Sequence, residues 1–164
     1  MREPVVGVRE IRYASRELDR LVSTLKDEPG EAATLVILSG ASTDQKSVTA
    51  EAIATQLDRA LVRVDLSAIV SKYIGETEKN LDRLFDDATR SGAVLLFDEA
   101  DALFGNRSAV RPSGDRFASV ETNDLLQRLD AFSGIVVLVV NDPKPAREQA
   151  AKLRRARTVV VLDR

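Results

Sequence analysis

The chain has 164 residues, 44% of them hydrophobic and 30% charged, which suits one domain with a sizeable core rather than two. A net charge of -2 gives no electrostatic footprint for nucleic acid or an anionic membrane. The lack of both cysteine and histidine excludes disulfides, thiolate chemistry and imidazole catalysis, which leaves carboxylates, lysine, arginine, hydroxyls and a bound metal.

Residues 1–13 show no clear periodicity. Leu18, Leu21, Val22 and Leu25 fall at helical spacing and predict an amphipathic helix over 15–26, which Pro29-Gly30 ends. Thr34 to Ser39 is a short apolar run that reads as a strand buried on both faces. Gly40 to Ser47 then leads into a helical segment reaching about Arg59. Leu61 to Leu66 reads as another strand, with Ser67 capping the turn after it. Glu76 to Arg90 is a helix burying Leu81, Leu84, Phe85 and Ala88. Ala93 to Phe97 is a wholly apolar strand, followed by a loop over 105–115 rich in Arg, Ser, Gly and Pro. Phe117 to Ala131 buries Leu125, Leu126 and Leu129, and Ile135 to Val140 is again all apolar. A short helix around Arg147 to Leu153 leads to a last strand at Thr158 to Leu162. Five buried strands alternating with helices predict an α/β, three-layer sandwich around a five-stranded parallel sheet. Residues 1–33 form a lead-in segment and helix, and 34–164 the core of what is one domain overall. No secretory signal or apolar run of membrane-spanning length is visible, so the expected setting is cytoplasmic.

Two stretches carry chemistry. Asp98 and Glu99 directly follow a buried strand, which places them at the carboxyl edge of the sheet, where α/β folds bind ligands. Two carboxylates there suit a magnesium ion and an attacking water, and equally suit a solvated strand-to-helix turn. The second stretch is Gly40-Ala41-Ser42-Thr43-Asp44-Gln45-Lys46-Ser47, the outline of a phosphate-binding loop between strand and helix. Such a loop surrounds phosphates with backbone N–H groups, while its lysine adds charge and its hydroxyl meets magnesium. Gln45 stands where that pattern has glycine, and Ser42, Thr43 and Asp44 supply none. A side chain forced into a glycine-only conformation costs about 1–3 kcal/mol. Asp44 also sets a negative charge near the phosphates.

Ser71 to Leu81 (SKYIGETEKNL), followed by Leu84-Phe85 and the acidic strand end, closely resembles the AAA family of ATPases. Residues 40–47 fall at that family's Walker A position, and Leu95 to Asp101 (LLFDEAD) is similar to its Walker B. The resemblance covers roughly residues 34–162 and implies the P-loop NTPase-like fold. It further implies that Gly40 and Lys46 bind ATP, with Lys46 on the β- and γ-phosphates, and that Ser47 and Asp98 hold magnesium. Glu99 is then the group that deprotonates water, Asn141 positions that water, and Arg154 or Arg155 reaches a neighbouring subunit's site. Tyr73, beside Lys72, stands where family members grip a polypeptide in a central pore. Gly7, within Val5 to Val8, lies where the family approaches adenine. Family members continue into a helical lid, which this chain is expected to lack, and a hexameric ring of copies is expected where a lid is supplied. The implied function is magnesium-dependent ATP binding and hydrolysis coupled to remodelling a polypeptide or protein partner. The alternative, raised by Asp44 and Gln45, is a nucleotide-binding-deficient AAA-like scaffold or interaction module.

Overall fold

The computed structural model describes residues 8–13, 15–27, 33–40, 42–64, 69, 73, 75–101, 122–154 and 157–162. The elements run β1 (Val8–Arg12), α1 (Arg16–Asp27), β2 (Thr34–Leu38), α2 (Thr43–Gln56), β3 (Leu61–Val64), α3 (Glu76–Ser91), β4 (Val94–Phe97), α4 (Thr122–Ala131), β5 (Ile135–Val139), α5 (Pro143–Ala150) and β6 (Arg157–Leu162). The strands form one sheet in the order β1-β6-β2-β5-β4-β3, and every neighbouring pair is parallel.

The central strands β2, β5 and β4 are buried at every residue, as their unbroken apolar runs require of a sheet covered on both faces. Side chains alternate between two cores. Leu35, Ile37, Leu95, Phe97, Val136 and Leu138 meet α3, α4 and α5 through Leu81, Phe85, Leu125, Leu129 and Ala146. Val36, Leu38, Leu96, Val137 and Val139 meet α1 and α2 through Leu21, Val22, Leu25, Ala50 and Ile53. The result is the expected three-layer α/β sandwich of the P-loop NTPase kind.

Among the described residues the sheet has six strands where five were expected. The extra one, β1, runs along β6 from Val8↔Thr158 to Arg12↔Leu162. It is an edge strand, and only Ile11 of its five residues is buried, so it leaves no apolar run to read. An ion pair between Arg147 and Glu10 ties β1 to α5. The last helix also begins earlier than its apolar spacing indicates. Asp142 caps α5 by accepting the N–H of Lys144 at 3.1 Å, and Pro143 takes the first helical position, where its missing N–H costs nothing.

Candidate active site at the carboxyl edge of the sheet

Because β2, β5 and β4 are neighbours and parallel, whatever follows each of them meets at one edge. Asp98 and Glu99 follow β4, and both are exposed. Glu99 has φ 51°, the left-handed region that non-glycine residues enter at a cost of about 1–3 kcal/mol. The Asp98 carboxylate supports this turn by accepting the Glu99 N–H at 2.9 Å. The chain thus turns sharply at the strand end and holds two acids in solvent at that edge of the sheet.

Asp101 ties this turn to the end of β5. Its carboxylate accepts the N–H of Asn141 on both oxygens, at 3.1 and 3.0 Å, and that of Asp142 at 3.1 Å. The three bonds tie the backbone at Asn141 and Asp142 to the turn that carries Asp98 and Glu99. No local sequence signal could give this, since the partners lie 40 and 41 residues apart.

On the β2 side, Gly40 leaves the strand at φ 76°, a conformation suited to glycine. Tyr13 steadies the approach by donating its hydroxyl to the Ser39 carbonyl at 3.0 Å. The segment after Gly40 is not the open loop its glycine-lysine-serine outline indicates. Helix α2 starts at Thr43, three residues ahead of Lys46. Ser42 is its N-cap: the Ser42 hydroxyl accepts the Gln45 N–H at 3.1 Å, and the Ser42 carbonyl accepts that of Lys46 at 3.1 Å. The physical reason lies in the side chains present. Thr43, Asp44 and Gln45 accept helical backbone angles, serine is a favoured cap, and Asp44 in the first turn complements the helix dipole.

Lys46 is correspondingly drawn inward. It is only 5% exposed, and its ammonium donates to the Val140 carbonyl at 3.0 Å. The ends of β2 and β5 are therefore bridged by Lys46, and those of β5 and β4 by Asp101. Ser47 lies one residue on, half-buried.

The other expected residues lie apart. Tyr73 is 67% exposed, just ahead of Gly75, which opens α3 at φ 80°. Arg154 is exposed and precedes β6, and its N–H donates to Asp130 on α4 at 3.3 Å. It therefore sits at the amino edge of the sheet, away from Lys46, Asp98, Glu99 and Asn141. Gly7, Lys72 and Arg155 fall outside the described residues.

Among the described residues, no three acidic side chains gather as a metal cage. Ser47 and Asp98 offer one hydroxyl and one carboxylate, a donor set that suits a magnesium ion arriving with phosphates and retaining waters. The phosphate side is different. The amides of Gln45 and Lys46, which an open loop would offer, already bond to Ser42.

A family model for the ATPase family associated with various cellular activities (AAA) matches residues 36–164, well over half of the chain. The chain belongs to the AAA family. Among curated relatives, it is 34% identical over 125 residues to the 26S proteasome regulatory subunit S10B homolog B of Arabidopsis thaliana, covering 74% of this chain and 31% of that protein. It is 35% identical over 112 residues to a probable 26S proteasome regulatory subunit 10B of Caenorhabditis elegans, covering 65% and 28%. This AAA chain thus spans about a third or less of the length of those relatives. A solved structure of an E. coli MS115-1 HORMA:CdnC:Trip13 complex shares its fold with a TM-score of 0.62 at 18% identity, covering 94% of this chain and 64% of the other. No helix among the described residues is long and apolar enough to cross a membrane.

Proposed function

We propose that this AAA domain binds magnesium-ATP at the carboxyl edge of its sheet and hydrolyses it to remodel a protein partner, working in a ring of copies in the cytoplasm. The observation that carries this reading is a pair of bridges at one sheet edge: Lys46, in the first turn of α2, reaches the end of β5 through the Val140 carbonyl, and Asp101 joins the turn bearing Asp98 and Glu99 to Asn141. Magnesium-ATP supplies the phosphoanhydride and the charge that polarises it. Lys46 would neutralise phosphate charge, and Ser47 and Asp98 would hold the ion. Glu99 would accept the proton of the attacking water, and the side chain of Asn141 would orient that water. Arg154, or Arg155, would serve a neighbouring copy's site, a contribution on the order of 10³-fold or more in related phosphoryl transfer. Its position at the opposite edge of the sheet fits that division of labour. Tyr73, exposed near Lys72, would contact the polypeptide. The relatives' names, regulatory subunits of a proteasome, support a protein as the partner.

A second reading, a scaffold that does not turn over nucleotide, draws on one observation: the capped first turn of α2. Glu99→Gln separates the two. On the ATPase reading, it abolishes single-turnover hydrolysis while leaving magnesium-ATP affinity largely intact. Equal rates in parent and variant would remove Glu99 from the chemistry, and no binding by either would favour the scaffold.

A further inference from the structure

The first turn of α2 uses up what the phosphates need. The Gln45 N–H is held by the Ser42 hydroxyl, the Lys46 N–H by the Ser42 carbonyl, and the Lys46 ammonium by the Val140 carbonyl. All three donors belong to the stretch that a phosphate would have to address. The three bonds also depend on one conformation, because the ammonium follows its own backbone into the helix. The amides that remain at the helix tip, those of Thr43 and Asp44, lie beside the Asp44 carboxylate, which repels an anion.

We infer that the capped turn Ser42–Lys46 is a closed gate on the nucleotide site, which opens by uncoiling one helical turn and withdrawing Lys46 from Val140. This rests on the ATP-binding reading above and deepens it: the same residues take two states, one satisfied internally and one satisfied by ligand. Apparent affinity then equals intrinsic affinity reduced by the fraction of molecules that are open. Opening also has a consequence at a distance. In the closed form, the end of β5 is held by Lys46 through the Val140 carbonyl and by Asp101 through the Asn141 and Asp142 amides. Withdrawing Lys46 leaves Asp101 as the remaining hold among these, so occupancy of the phosphate site is felt at Asn141.

The gate makes a prediction of unusual sign. Ser42→Ala removes a cap worth roughly 1 kcal/mol to the closed turn, so it should tighten magnesium-ATP binding about fivefold, at tenfold per 1.4 kcal/mol. Thr43→Pro acts in the opposite sense. Proline is favoured at the first helical position, so this variant should hold the gate shut and weaken binding several-fold. Both are measured by titrating the chain with magnesium-ATP. Amide hydrogen exchange of the nucleotide-free chain gives an independent readout: Gln45 and Lys46 should be protected in the parent and exchange faster in Ser42→Ala. A parent that binds magnesium-ATP, with Ser42→Ala unchanged or weaker, overturns the gate and leaves the ATP-binding reading standing. Unprotected amides at 45 and 46 in the nucleotide-free parent also overturn it. If neither parent nor variant binds magnesium-ATP, the ATP-binding reading falls and the gate falls with it.

Discussion

Removing the Asp101 carboxylate should loosen the end of β5 by a calculable amount. Asp101 accepts two N–H groups through three contacts of 3.0 to 3.1 Å, from Asn141 and Asp142. A hydrogen bond to a charged group contributes about 1.5–3 kcal/mol when shielded from water. Asn141 and Asp142 are exposed, so water replaces part of what is lost, and the pair together should contribute only about 1–2 kcal/mol. The carboxylate also faces the start of α5, which adds roughly 0.3–1 kcal/mol of dipole interaction. A total of about 2 kcal/mol corresponds to a fall in Tm of about 4–8 °C for a chain of this size. Asp101→Ala should show that fall in a thermal melt followed by circular dichroism, and Asp101→Asn, which keeps one acceptor oxygen, should fall about half as far. Amide exchange localises the effect, with Asn141 and Asp142 gaining exchange rate in both variants. A Tm within about 1 °C of the parent, with exchange at 141 and 142 unchanged, would refute the idea that Asp101 holds the strand end.

Gly134→Ala should destabilise the chain by about 1–3 kcal/mol in urea unfolding, because a Cβ there would meet the Phe132 ring at 2.5 and 2.7 Å. That ring is buried and packs edge-on against Phe85 at 5.2 Å, so displacing it disturbs the core. An unchanged unfolding midpoint would show that the ring moves aside at no cost. Tyr73→Ala should leave the Tm within about 1–2 °C, since the side chain is 67% exposed, and should weaken capture of an unfolded polypeptide measured by fluorescence anisotropy. A loss of several kcal/mol would place the ring in a packed role instead.

The strands that position the site were the easiest part of the sequence to read. β2, β4 and β5 are continuous apolar runs of four or five residues, and only a sheet covered on both faces buries every side chain of such a run. Asp98 and Glu99 inherited their location from β4, and Asn141 its location from β5. What escaped were contacts between distant segments and competition between local states. β1 is an edge strand with one buried residue, so its pairing with β6 leaves almost no hydrophobic pattern. Asp101 drew no reading of its own, because its partners are on another loop. The segment 40–47 was legible as a departure from a phosphate loop, through Asp44 and Gln45, without revealing what replaces it. The same substitutions that remove glycines supply helix-compatible residues behind a serine cap, so the helix extends backward and Lys46 turns into the core.

The most direct test of this account is isothermal titration of magnesium-ATP into the parent chain and into the double variant Asp44→Thr with Gln45→Gly. The variant removes the negative charge beside the phosphates, restores the permissive residue at 45, and weakens the closed turn, since glycine costs a helix about 1 kcal/mol relative to alanine. The parent should bind weakly and the variant at least about tenfold more tightly, a difference of about 1.4 kcal/mol. Binding as tight in the parent as in the variant would mean that the segment is competent as it stands, and no binding by either would mean that this strand edge is not a nucleotide site.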